Sequence, residues 1–165
     1  MFVIRAAKNY DMPEIMRVYE AARKFMAESG NESQWGQTYP PAETVAEDIE
    51  NNRLFVLDSG GIHGAFVFFF GTEPDYERVE GGSWQTASPS GIMHRVASDG
   101  ATRGFFSQAL SFCLSRAREI RIDTHRDNTV MQHVLEKNGF CRVGIVYIEN
   151  GEERIAYEFA QKKSQ

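Results

Sequence analysis

Cysteine is scarce: two occur in 165 residues, Cys113 within an apolar run and Cys141 just after Gly139-Phe140. There is no C-x-x-C and no spacing that suits zinc, so neither a disulfide framework nor a metal site is expected. Both thiols are expected to be reduced and packed as small hydrophobes. Positive charge is short as well, with 18 Lys and Arg against 23 Asp and Glu and a net charge of −5. The basic residues are scattered, so no stretch can neutralise a row of phosphates, and nucleic acid is not an expected partner. No apolar run approaches the roughly 18 residues of a membrane span. The N-terminal Met-Phe-Val-Ile-Arg does not lead from charge into a long apolar core. A cytoplasmic chain that makes no membrane contact is the expectation. Neither Gly-x-x-x-x-Gly-Lys-Ser/Thr nor Gly-x-Gly-x-x-Gly occurs, which weakens the case for a nucleotide-phosphate enzyme.

What is present suffices for one domain over residues 1–165: 42% of the residues are apolar and 12% aromatic. Phe2–Ala6 reads as a strand. Asp11, Pro13 and Glu14 mark a helix start, and Ile15, Val18, Tyr19, Ala22, Phe25 and Met26 continue at helical spacing to Gly30. Residues 31–41 carry Trp35 and Tyr39 without period, a loop that either lines a ligand cleft or covers the core. A helix follows over Ala42–Asn52. Ser59-Gly60-Gly61 joins strands Leu54–Asp58 and Ile62–Phe70 as a hairpin. Residues 71–89, polar and glycine-rich around Trp84, read either as an excursion over a substrate site or as a surface loop.

The central part of the chain alternates strand and helix. Ile92–Ser98 is a strand, Thr102–Arg118 a helix, Ile120–Thr124 a strand, and Asp127 or Asn128 caps a further helix that Gly139 ends. Val143–Ile148 and Arg154–Phe159 form an antiparallel pair across Asn150-Gly151. This order predicts a mixed α/β fold, a twisted sheet of about seven strands with helices on both faces. The loop Gly100-Ala-Thr-Arg-Gly104-Phe-Phe-Ser107 opens into a helix, where free N–H groups and the positive end of the macrodipole form a seat for an anion.

The element order, Arg103-Gly104-Phe105-Phe106-Ser107, the strand Ile120-Arg-Ile-Asp-Thr-His125, Asp127-Asn128 and the ending Glu136-Lys-Asn-Gly-Phe140 resemble the GNAT superfamily of acyl-CoA-dependent N-acyltransferases. The resemblance covers nearly the whole chain. It implies a CoA diphosphate on the main-chain amides between Ala101 and Ser107, through Thr102, Arg103, Gly104, Phe105 and Phe106. It also implies a pantetheine arm between two splayed strands, paired with the backbone of Val96 and Ser98, and an asparagine, here Asn128, that either bonds the arm or caps its helix. Ala101 and Phe106 depart from the family's loop pattern. The Phe106 ring either blocks the amides or turns inward onto Leu110 and Cys113. Where many members carry a tyrosine that protonates the leaving thiolate, this chain has Leu135, and Tyr147 or Ser107 is a substitute.

The activity so implied is transfer of an acetyl group from acetyl-CoA, a cosubstrate, to a primary amine of a small molecule or an exposed amino group by direct attack. An amine must be neutral to attack, so a proton acceptor is needed, and His94 and His125, at the ends of the central strands, are the candidates. Asp123 either orients a histidine, attracts a cationic substrate or serves a turn. The N–H near Val96 is placed to stabilise the oxyanion. The alternative is a non-catalytic acyl-CoA-binding or regulatory module. A homodimer stays open.

Overall fold

The computed structural model describes residues 2–161. Its elements are β1 (Val3–Ala6), α1 (Met12–Glu28), α2 (Ala42–Glu50), β2 (Leu54–Asp58), β3 (Ile62–Gly71), β4 (Ser90–Ser98), α3 (Phe105–Leu114), β5 (Glu119–Thr124), α4 (Thr129–Lys137), β6 (Cys141–Tyr147) and β7 (Glu153–Ala160). Short 3-10 turns stand at Asn9–Asp11 and Pro74–Tyr76. The expected strands and helices are all there.

The seven strands form one sheet in the order β1-β2-β3-β4-β5-β7-β6. All neighbours are antiparallel except β4 and β5, which α3 joins by a parallel crossover. The sheet's two faces follow from alternation along its strands. Leu57, Phe66, Phe68, Met93, Ile122 and Ile155 point into a core shared with α3 and α4. On the opposite face Val56, Ala65 and Val67 pack on Ile15, Val18 and Tyr19 of α1 and Val45 and Ile49 of α2. Beyond α1, that second face is covered by the excursion 71–89, whose Tyr76, Val79 and Trp84 pack on Ile92, Val146 and Ala156. Backbone hydrogen bonds between Glu80 and Ile145 tie the excursion to β6. The covering of this face thus comes in two parts, and the seam between them lies over β4 and β5.

β4 is irregular where it reaches that seam. Its pairing with β3 shifts by one residue, so that Arg95 and Val96 together face Phe66, a β-bulge, and Arg95 has φ +47°. The bulge is held from two helices. The hydroxyl of fully buried Tyr19 donates to the Arg95 carbonyl at 3.0 Å. Asp48 accepts two bonds from the Arg95 guanidinium at 2.8 and 2.6 Å. Burial works against the Arg95 charge, but Asp48 and Tyr39 outweigh it and push its pKa up. Pairing between β4 and β5 is confined to Gly91–Ile120 and Ile92–Arg121. Past these the strands part, β4 keeping to β3 and β5 to β7.

Several local expectations are corrected. Asp11 does not cap α1: its carboxylate turns back to accept Arg5 Nη1 at 2.8 Å, Arg5 Nη2 at 2.9 Å and the Lys8 N–H at 2.7 Å. A guanidinium fork is a stronger partner than a helix N–H, and Arg5 holds the Asp11 carboxyl below its usual range. α3 is shorter than expected: it begins at Phe105 after Gly104 at φ +72° and ends at Leu114, where the Ser115 hydroxyl donates back to the Phe112 carbonyl. Cys113 is buried as expected, its thiol pushed up to about 12 by burial, whereas Cys141 is exposed at the start of an edge strand.

Replacing Asp48 by Ala leaves the Arg95 guanidinium, four-fifths buried, without its carboxylate. A loss of about 2–3 kcal/mol in stability is expected, read as a lower urea midpoint, with Asp48→Asn losing less because it keeps an acceptor.

Candidate active site

The seam in the sheet's covering is a cleft of about 800 Å³. Trp35 and Tyr39 from the α1–α2 loop, Phe69 of β3, His94, Arg95 and Val96 of β4, and Ile122, Asp123 and Thr124 of β5 line it. Glu73 and Asp75 come from the excursion, Asn128 and Met131 from α4, and Glu149, Glu152 and Arg154 from the β6–β7 turn and β7. Residues 31–41 therefore line the cleft, with Trp35 edge-on to Tyr19 at 5.8 Å.

His94 is the one expected proton acceptor placed here. Its Nε2 donates to Glu73 Oε2 at 2.8 Å, because a carboxylate can only accept. The proton is thereby fixed on Nε2, which leaves the Nδ1 lone pair as the basic position. The His94 hydrogen bond holds the Glu73 carboxyl below its usual range. Behind this pair, fully buried Tyr76 donates to Asp123 Oδ2 at 2.6 Å, and its ring lies 5.9 Å from that of His94. Arg154 Nε stands 3.8 Å from Asp123 Oδ1. Asp123 thus anchors the excursion to the sheet and does not touch a histidine.

The cleft lining is acidic: Asp48, Glu73, Asp75, Asp123, Glu149 and Glu152 face Arg53, Arg95 and Arg154. Asp75 shows the crowding, since burial, then Glu73 and Asp123, push its carboxyl up.

The other two proton-transfer candidates lie elsewhere. His125 Nδ1 accepts the Asp127 N–H at 3.0 Å, which caps the turn before α4, and the ring is not part of the cleft wall. Tyr147 is exposed on the edge strand β6 and donates a short hydrogen bond to Glu80. Leu135 is fully buried in the core. Ser107 is spoken for as well, its hydroxyl donating to Asn138 Oδ1 at 3.1 Å.

Phe106 does not block the expected anion seat. That ring is buried in the core with Leu110 and Cys113, 6.0 Å from Phe140, so it turns away from the amides. An added Cβ at Gly104 would meet nothing within 4 Å. Among the described residues, the N–H groups from Thr102 to Ser107 have no acceptor, whereas Ala101 N–H is already bonded to Asp99 Oδ1 at 2.9 Å. Asp99 also binds Arg17 at 3.1 Å and His63 at 2.8 Å and so fixes the loop from behind. Arg103 is exposed beside the seat. Ser98 Oγ accepts the Gly100 N–H at 3.2 Å, a turn role for its side chain. Asn128 caps α4 by accepting from Met131 N–H at 3.0 Å, while its Nδ2 donates to Gln34 at 3.1 Å. Both functions of that side chain are in use.

No protein-family model matches the chain, and no curated protein matches it. Solved structures do. A GNAT-family acetyltransferase from Streptococcus agalactiae 2603 is 27% identical, with TM-score 0.88 over 98% of this chain and 96% of that one. One from Bacillus cereus ATCC 10987 is 20% identical, with TM-score 0.64 over 99% of both chains. A ribosomal-protein-alanine N-acetyltransferase from Brucella melitensis shares the fold at 15% identity, with TM-score 0.65 over 96% of this chain and 99% of that one. The parted strands, the glycine-led helix start and these likenesses define the class by its architecture: the chain has the fold of the GNAT acetyltransferases. Acyl transfer is the chemistry that its structural relatives support.

The Glu73–His94 bond is open to direct measurement. In an NMR titration Glu73 should lose its proton below the usual glutamate value of about 4.3, and His94→Ala should return it toward that value. Glu73 then favours the folded state above its unfolded-state pKa, a contribution lost as pH falls through the folded one.

Proposed function

We propose that the protein transfers an acetyl group from acetyl-CoA to a primary amine, carried by a small molecule or an exposed amino group, in one direct step. The observation that carries this reading is the alignment of two unsatisfied backbone regions. Free amides from Thr102 to Ser107 suit a diphosphate, and the gap between β4 and β5 suits an amide-bearing arm that pairs with Val96 and Ser98 as an added strand would. Acetyl-CoA has both parts in one molecule. The acidic lining of the cleft favours an acceptor that arrives as a cation.

Each remaining step falls to a group already described. His94 Nδ1 takes the proton of the incoming ammonium, directly or through water, while Glu73 holds the ring and stabilises the imidazolium that forms. The neutral amine attacks the thioester carbonyl, the N–C bond forms, and charge develops on oxygen. The Val96 N–H, at the bulge, is the donor for that oxygen. The C–S bond then breaks, the electron pair leaves on sulfur, and the attacking nitrogen sheds its second proton, which passes through water to that sulfur, so that an amide and a thiol result. A catalytic histidine held by a carboxylate favours this over a module that only binds.

With acetyl-CoA and a panel of amines, thiol release should depend on the amine. His94→Ala should lower kcat/KM about 100-fold and Glu73→Gln about tenfold, with Tyr147→Phe near wild type. Thiol release without amine dependence, or full activity in His94→Ala, overturns the assignment.

Gly104→Val should act on binding. A β-branched residue at φ +72° strains the loop and fills the open side of the seat, so calorimetry should show CoA affinity at least tenfold lower, while His94→Ala binds CoA normally. Equal affinity in Gly104→Val places the diphosphate elsewhere.

A further inference from the structure

Thr124 is 1% exposed, and its hydroxyl oxygen is buried with no hydrogen-bond partner among the described residues. Of the five buried polar atoms in that condition, it alone belongs to a residue that lines the cleft. Buried hydroxyls are rarely left so, and an orphan in a cleft wall points to a ligand atom that completes it.

The place of Thr124 says which atom. Its backbone pairs with Ile155 of β7, which fixes it on the β5 side of the gap. Carrying the Ile92–Arg121 register three residues further sets Thr124 across from Arg95, beside the bulge that presents the Val96 N–H. Its side chain shares a face with Ile122, toward α4, where Met131 also reaches the cleft. Leu135, one turn beyond Met131, is fully buried in the core and has no polar group to offer. Ser107 and Tyr147 are bonded elsewhere.

We infer that the Thr124 hydroxyl donates a hydrogen bond to the thioester sulfur as it departs. The inference rests on the acetyl-CoA reading and deepens it. As the C–S bond breaks, the electron pair moves to sulfur and the Thr124 O–H stabilises that charge. The hydroxyl keeps its own proton, since a thiol of pKa about 8.5 is far the stronger acid. The proton that completes the free thiol is the second one shed by the attacking nitrogen, relayed through water.

The test uses Thr124→Val, equal in shape but without the hydroxyl, and Thr124→Ser, which restores it. In Thr124→Val, kcat should fall about 10- to 100-fold, with KM for acetyl-CoA unchanged, and Thr124→Ser should recover most of the rate. By calorimetry the wild type should bind CoA more tightly than desulfo-CoA, and Thr124→Val should bind the two equally. The unfolding midpoint of Thr124→Val should match or exceed that of the wild type, because the change removes an unpartnered polar atom. An unchanged kcat, a rise in KM alone, or a serine variant as slow as the valine one overturns the assignment. Wild-type protein that binds neither CoA nor desulfo-CoA overturns the acetyl-CoA reading itself, a separate outcome.

Discussion

The bulge at Arg95 is the constraint on which the site depends. A regular β4 would pair with β5 along its length, as parallel strands joined by a crossover helix do, and no gap would open. The extra residue in β4 lies within the stretch that has left β5, where Val96 has no pairing partner in that strand. The positive φ at Arg95 is unfavourable for a long side chain, and three contacts offset it: Tyr19 on its carbonyl, Asp48 and Tyr39 on its guanidinium. The same side chain that has the strain is the one that is clamped. Helices α1 and α2 therefore do more than cover the sheet; they hold the bulged strand on which the proposed acyl donor would pair.

The second constraint is the excursion 71–89. Its Tyr76 and Trp84 bury apolar area on the half of the sheet that α1 and α2 leave bare, and Trp84 Nε1 donates to the Tyr76 carbonyl at 2.8 Å. Gly82 and Gly144 let the excursion and β6 approach backbone to backbone, where a Cβ on either would strike a carbonyl of the other segment. This packing delivers Glu73 to His94. The seat at α3 is braced in a comparable way, by Asp99 on one side and by the Ser107–Asn138 bond on the other. That bond gives a physical reason for the distant Gly104 and Asn138-Gly139 features to occur together.

The elements and the glycine-led start of α3 were legible in the sequence because both depend on local signals: apolar period, Asn-Gly and Gly-Gly turns, and a glycine before a helix. The bulge was not, since it is a matter of register between strands and falls on an arginine, which carries no turn signal. The pairing of Glu73 with His94 was hidden for the same reason. Glu73 lies 21 residues from His94 in a segment without period, and only tertiary packing joins them. His125 and Tyr147 were reasonable by residue type and strand position, but a neighbouring N–H and a neighbouring carboxylate occupy them. Thr124 gave no signal at all, because an orphaned hydroxyl is defined by what surrounds it.

For the proposed amine acceptor, the acidic cleft sets a problem that its geometry also answers. Carboxylates attract an ammonium and, by favouring its charged form, raise its pKa, so the field that gathers the acceptor also withholds the neutral amine needed for attack. A base inside the same field resolves this only if its own proton affinity is directed. Glu73 does that by fixing the His94 proton on Nε2, which makes Nδ1 the acceptor and keeps a counter-charge in place for the imidazolium. Asp123 is withdrawn from the competition by Tyr76 and Arg154, and Asp48 by Arg95. Asp75 and Glu149 have no such partner among the described side chains, which leaves them to draw the cation in. Attraction and deprotonation are thus assigned to different carboxylates, and the separation depends on the excursion staying packed on the sheet.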